Sequence, residues 1–184
     1  MHQVEVLILQ HPLEVEHAKG SARLLHLSLP NSQLVTGEVF AEDVLHHLLT
    51  APWATQTSGC APPHAVLLYP ETEGSTCVAP DPAWLHYPAQ IRLVVIDGTW
   101  RKSRKMLHQN PLLQRLPRLA LHDLPTSLYR VRQAHRSDQR STLEATCAAL
   151  AQIEGATHRF TPLLDAFDRL MAQLVDTQTR RQIT

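Results

Sequence analysis

Ile91-Arg92-Leu93-Val94-Val95-Ile96-Asp97-Gly98-Thr99-Trp100 is the stretch on which the fold turns. Its first six residues hold five apolar side chains, four of them β-branched. This is the strongest strand pattern in the chain, and Asp97-Gly98 ends it. Helix-forming residues follow directly, from Thr99 to His108. A buried strand that feeds a helix through a two-residue turn is the repeating unit of a parallel sheet.

Working outward, the same unit recurs. Val4 to Leu9 reads as a buried strand stopped by Gln10-His11-Pro12, and Ala65 to Tyr69 as another, closed by Pro70. Between them, Ser21 to Leu29 reads as a short helix ended by Pro30, and Ala41 to Leu49 as an amphipathic one. Residues 52–63 are rich in Pro, Thr and Ser and read as a loop. Downstream, Leu119 to Leu121 is a candidate short strand and Ser141 to Ile153 a helix. Phe160, Leu163, Leu164, Phe167, Leu170, Met171, Leu174 and Val175 recur at helical spacing, which marks the stripe of a core-facing helix over residues 160–177. Strands alternating with helices predict an α/β fold, a single domain over residues 1–184 with a mostly parallel sheet flanked by helices.

Composition excludes several classes. An apolar share of 43 % and a charged share of 18 % are those of a globular protein, not a disordered one. No apolar run approaches the roughly 20 residues needed to span a bilayer. The first residues read as a mature strand and not as a signal peptide, so a cytoplasmic location and no membrane partner are expected. Cys60, Cys77 and Cys147 form neither a disulfide framework nor a zinc ribbon, and the 12 histidines include no H-E-x-x-H pair, so no metal is expected. The formal net charge is zero, but residues 101–140 carry +8 and the remainder −8. That asymmetry predicts a basic face suited to nucleic acid, with Arg101, Lys102, Arg104, Lys105, Arg136 and Arg140 as phosphate contacts. Oligomeric state is left open.

In open α/β sheets, ligands bind outside the carboxyl ends of the strands. Two ends stand out here, Leu68-Tyr69-Pro70 and Asp97-Gly98-Thr99-Trp100. Asp97 either presents a carboxylate at a site or caps the following helix. Trp100 sets a flat apolar surface beside it. Ser141-Thr142-Leu143-Glu144 has the spacing of a capping box, and a helix start also offers amides to an anion. In Ser127-Leu128-Tyr129-Arg130-Val131-Arg132, two arginines on one strand face would grip a carboxylate or phosphate. No glycine-rich dinucleotide or Walker-type phosphate loop is present, nor a serine nucleophile elbow.

Taken in order, Leu9-Gln10-His11-Pro12-x-Glu14, Leu68-Tyr69-Pro70, Asp97-Gly98-Thr99-Trp100, Ser127-x-Tyr129-Arg130-x-Arg132 and Ser141-Thr142-x-Glu144-Ala145 resemble the motifs of the DTW-domain family. The resemblance covers about residues 4–155. It implies a tRNA-uridine aminocarboxypropyltransferase, with S-adenosylmethionine as donor, tRNA as partner and methylthioadenosine as by-product. It also implies a SPOUT-like core with a C-terminal trefoil knot. By the same resemblance, Asp97, Thr99 and Trp100 are the catalytic group. Leu68, Tyr69, Pro70, Asp97, Gly98, Ser127, Arg130, Arg132, Ser141, Thr142 and Glu144 would bind the donor. Asp97 is then either the proton acceptor or the ligand of the donor's ammonium. Two departures stand out: the cysteine cluster that many members carry before the Gln-His-Pro motif is not in this sequence, and Ser21 stands where Thr is usual. A methyltransferase on the same donor, an rRNA aminocarboxypropyltransferase and a non-catalytic RNA-binding module are the competing readings.

Overall fold

A computed structural model describes residues 2–16, 20–53, 61–70, 78–121, 141–156 and 158–183, the last ten as backbone only. In chain order the elements are β1 (Glu5–Gln10), α1 (Ser21–Ser28), β2 (Ser32–Thr36), α2 (Glu42–Thr50), β3 (His64–Leu68), β4 (Ile91–Asp97), α3 (Trp100–Gln109), α4 (Pro111–Gln114), β5 (Arg118–Leu119), α5 (Thr142–Glu154) and α6 (Thr161–Ile183). The strands form one sheet in the order β2-β1-β4-β3-β5, with every neighbouring pair parallel. The expected mixed α/β architecture with a parallel sheet flanked by helices is therefore present.

β1 and β4 lie at the centre, and every residue of both is buried. Side chains alternate between the two faces of a strand, so each strand feeds two cores. Val6, Ile8, Leu93 and Val95 pack with Leu25 of α1, Leu143 and Leu150 of α5 and Phe167 of α6. Leu7, Leu9, Val94 and Ile96 pack with Leu45 and Leu49 of α2, Met106 and Leu107 of α3 and Leu113 of α4. Helices thus cover both faces, which is why these strands read as continuous apolar runs.

An ion pair sits inside this core. Arg92 is fully buried, and its Nε donates to Glu5 Oε2 at 2.7 Å across the β1–β4 register. Its Nη1 and Nη2 donate to the carbonyls of Leu48 and Ala51 at 2.6 and 2.8 Å. The guanidinium also lies 4.6 Å from the ring centre of Trp53. One side chain thereby balances a buried carboxylate and satisfies the carbonyls at the end of α2, which otherwise lack donors.

Several boundaries differ from the sequence reading. β2 was not anticipated: Ser-Gln-Leu-Val-Thr is half polar because it is an edge strand, bonded on one side only, to β1. The strand expected at Leu119–Leu121 is the two-residue β5, starting at Arg118. The connection into β4 carries two Pro-led 3₁₀ turns, Pro82–His86 and Pro88–Gln90. α6 runs on to Ile183, past the apolar stripe.

Candidate active site

Strand ends place the site. The last residues of β1 and β4, Gln10 and Asp97, are register partners, and the His11 N–H donates to the Asp97 carbonyl at 2.9 Å just beyond. Both side chains project to the face carrying α1 and α5, since Gln10 follows Val6 and Ile8 in alternation and Asp97 follows Leu93 and Val95. There Gln10 Nε2 donates to Asp97 Oδ2 at 3.1 Å. Asp97 is 6 % exposed and Gln10 3 %, so the pair is nearly out of water.

The direction of α5 brings its start to the same edge. Its last residue, Glu154, accepts the N–H groups of Gln3 and Val4 at 2.6 and 3.2 Å, ahead of β1. At 1.5 Å per residue its 13 residues span about 20 Å, close to the length of β4. Ser141 therefore stands at the carboxyl edge. The capping box is formed there: Glu144 N donates to Ser141 Oγ at 3.3 Å, and Ser141 N donates to Glu144 Oε2 at 2.8 Å. Ser141 Oγ also donates to the same carboxylate oxygen at 2.6 Å. The chain's own carboxylate thus fills part of the anion site that a helix start offers.

Asp97 does not cap α3. That task falls to Thr99, whose Oγ1 accepts the Lys102 N–H at 3.4 Å. The Asp97 carboxylate is left to the sheet edge. Gly98 makes the turn tight: a Cβ there would lie 3.2 Å from Lys102 Cβ and 3.5 Å from His11 Cβ.

Around this centre, loops are tied to α3 by charge. Lys102 Nζ bonds Glu14 Oε1 at 2.7 Å, and Lys105 pairs with Glu38. Glu38 Oε2 also lies 3.7 Å from His11 Nε2. Lys105 beside it, with a smaller contribution from His11, holds the Glu38 carboxyl below its ordinary value. His11 Nδ1 accepts the Leu13 N–H at 3.1 Å, so a neutral ring carries its proton on the nitrogen that faces Glu38. Of the six basic residues expected to meet phosphate, four lie on α3, and Lys102 and Lys105 among these are engaged by acids. Arg101 and Arg104 are exposed and have no carboxylate partner among the described residues.

On the opposite face of the sheet, Tyr69 is buried one residue past β3. The half-exposed Trp100 meets its ring edge-on, 5.8 Å between centres, and Arg118 lies 5.5 Å from the same ring. The Tyr69 hydroxyl is buried and has no hydrogen-bond partner among the described residues. Leu68 is half-buried and Pro70 exposed, both at this edge.

The structure thus brings Leu68, Tyr69, Pro70, Asp97, Gly98, Thr99, Trp100, Ser141, Thr142 and Glu144 to one edge of the sheet. Ser127, Arg130, Arg132, Arg136 and Arg140 lie outside the described residues. The sequence pattern assigns no role to Gln10, Glu38, Asn110 or Arg118. Gln10 had a signal, a polar residue closing an apolar strand. Asn110 had none: it is buried, donates to the carbonyls of Glu38 and Met106 at 2.9 and 2.6 Å, and accepts the Phe40 N–H at 2.9 Å. Among the described residues no His, Cys, Asp or Glu cluster could hold a metal ion. Burial, with a smaller push from Glu144, raises the Cys147 thiol to about 12, which removes it as a nucleophile at neutral pH.

A family model described as the DTW domain matches residues 1–175. The chain is 29 % identical over 152 residues to the tRNA-uridine aminocarboxypropyltransferase 2 of Drosophila melanogaster. That match covers 82 % of this chain and 56 % of the relative, so the chain spans little more than half the relative's length. No solved structure matches.

Proposed function

The chain belongs to the DTW domain family, and on that premise we propose that it transfers the aminocarboxypropyl group of S-adenosylmethionine to a uridine of tRNA. The observation that carries the reading is the Asp97 carboxylate, buried at the carboxyl edge of the central strand and held on one oxygen by Gln10. The relative's name supplies the reaction class. The residues present fit such a donor: a buried carboxylate for an ammonium or a proton, and a buried Tyr69 hydroxyl that lacks a partner among the described residues.

When bound, the donor supplies an electrophilic methylene carbon next to its sulfonium. In the proposed transfer a uracil ring nitrogen would bond to that carbon as the carbon–sulfur bond breaks, and the bonding pair would leave with sulfur as methylthioadenosine. The nitrogen's proton passes to Asp97. A sulfonium leaves readily, so the protein's share is orientation plus one proton acceptor, the latter worth about 10²–10⁴-fold. Thr99 fixes the start of α3 and so the position of Trp100, whose half-exposed ring would stack on a base. Tyr69, Gly98 and the start of α5 would line the donor pocket, together with Ser127, Arg130 and Arg132 as the family resemblance implies.

RNA phosphates would meet α3. Arg101 and Arg104 offer charge directly, whereas Lys102 and Lys105 must first exchange Glu14 and Glu38 for phosphate. A SPOUT-like C-terminal knot belongs to the same proposal, as does a cytoplasmic location. Among the described residues, no helix is long and apolar enough to cross a membrane.

The test is direct. The purified protein is incubated with S-adenosylmethionine and unmodified tRNA, and the digested nucleosides are weighed. Uridine heavier by an aminocarboxypropyl group, with methylthioadenosine released, is the expected result. A methyl-sized gain would make the protein a methyltransferase, and transfer to rRNA alone would change the acceptor. Donor binding absent altogether would leave an RNA-binding module.

A further inference from the structure

The machinery proposed above names Asp97 but leaves open why one carboxylate oxygen should be ready for chemistry, and the inference that follows rests on that reading. Gln10 and Asp97 end adjacent parallel strands as register partners, so their Cα atoms are fixed by the sheet ladder and not by a mobile loop. The His11 N–H to Asp97 carbonyl bond, 2.9 Å, extends that ladder one step beyond both residues. Across this rigid pairing, Gln10 Nε2 reaches Asp97 Oδ2 at 3.1 Å. The ladder also holds Gln10 from its other side, where the Gly37 N–H donates to the Gln10 carbonyl at 3.0 Å.

We propose that Gln10 is a positioning residue for the transfer: its amide holds Asp97 by Oδ2 so that Oδ1 is the oxygen presented at the carboxyl edge. A carboxylate held at one oxygen by a neutral donor keeps its charge and loses rotation about its terminal bond. Both are needed to accept a proton from a ring nitrogen in one geometry. A cation in this place would pair with Asp97 and lower its basicity, whereas an amide orients without neutralising. Asp97 Oδ1 is the atom that receives the uracil proton, and Gln10 touches neither substrate.

The charged and titratable groups on the elements around this edge, among the described residues, include His11, Tyr69, Arg23 and His26 of α1, Arg118, Arg101, Arg104 and His108 of α3, the Lys102–Glu14 and Lys105–Glu38 pairs, Cys147, and Glu144 on Ser141. Gln10→Ala and Gln10→Glu leave all of them in place.

The experiment compares wild type, Gln10→Ala, Gln10→Glu and Asp97→Asn by nucleoside mass and by the pH dependence of the rate, with circular dichroism to confirm folding. Gln10→Ala is expected to lower kcat about 10- to 100-fold, the range for losing a hydrogen bond to a charged group, with little change in KM. Gln10→Glu keeps the shape but sets a second carboxylate against Asp97. The two then resist joint ionisation, so the acid limb of activity should move up by about one pH unit or more. A purely structural Gln10 would instead show in Gln10→Ala as lost folding or as kcat and KM changed together, not as a loss confined to kcat. Full kcat in Gln10→Ala together with an unmoved limb in Gln10→Glu overturns the inference while Asp97→Asn still tests the base. A wild type that transfers no aminocarboxypropyl group overturns the functional reading and this inference with it.

Discussion

Replacing Arg92 with Met should cost this protein about 3–5 kcal/mol of stability, the range for breaking a buried ion pair from one side. Arg92 has no exposed surface, and Glu5, opposite it in the register, is 3 % exposed. The substitution strands the Glu5 carboxylate without its guanidinium and removes the donors to Leu48 and Ala51 at the end of α2. Each buried carbonyl left without a donor adds about 1–3 kcal/mol, not additively, and the methionine regains some packing against Trp53. Against a total of about 5–15 kcal/mol, the variant would keep only part of its stability. Urea unfolding followed by circular dichroism reads the loss as a lower midpoint at similar slope. pH provides the second handle. Burial raises the Glu5 carboxyl above its ordinary 4.5, with Arg92 pulling it back. A raised carboxyl contributes stability below its unfolded value and loses it as pH climbs through the folded one. Without Arg92 that pull disappears, so the deficit of Arg92→Met should be largest at neutral pH and shrink towards acid. Adding Glu5→Leu should recover much of the loss. A deficit under about 1 kcal/mol, or one independent of pH, would refute the reasoning.

Four further outcomes follow from the same geometry. Asp97→Asn should lower turnover by about 10²–10⁴-fold with donor binding retained, since the amide keeps the shape but cannot take a proton; unchanged turnover would remove Asp97 from the chemistry. Asn110→Ala, which unlinks α3 from the Glu38–Phe40 segment, should cost about 1–3 kcal/mol in thermal unfolding. Arg101→Ala and Arg104→Ala should each reduce the salt slope of tRNA binding by about one unit or less, while Lys102→Ala and Lys105→Ala reduce it less, because Glu14 and Glu38 already compete for them. Burial holds the His2 imidazole below its ordinary 6.5, so its contribution is complete above that pH and lost as pH falls through the folded value. The stability gap between wild type and His2→Asn should therefore narrow from pH about 7.5 to about 5.

What was legible in the sequence was whatever depends on neighbours along the chain. Ile91 to Ile96 reads as a strand because both of its faces are buried, and Ser141 with Glu144 reads as a cap because both partners lie within one turn. Asp97 was visible as an acid after a strand, though its two readings, cap and site, look alike in a string of letters. The edge strand β2 escaped because half of it faces away from the core, so no apolar run announces it. Gln10 and Asp97 are separated by 87 positions, as are Glu5 and Arg92, and no local pattern reports that parallel pairing sets each couple side by side. Tertiary structure also decided that the Asp97 carboxylate meets Gln10, and that Glu14 and Glu38 hold Lys102 and Lys105, two of the six basic side chains expected to meet RNA. The physical reason is the same throughout. Periodicity and capping are short-range constraints that residues impose on themselves, whereas the partner of a buried charge or amide is whatever the sheet's register delivers, and register is settled only when the whole core packs.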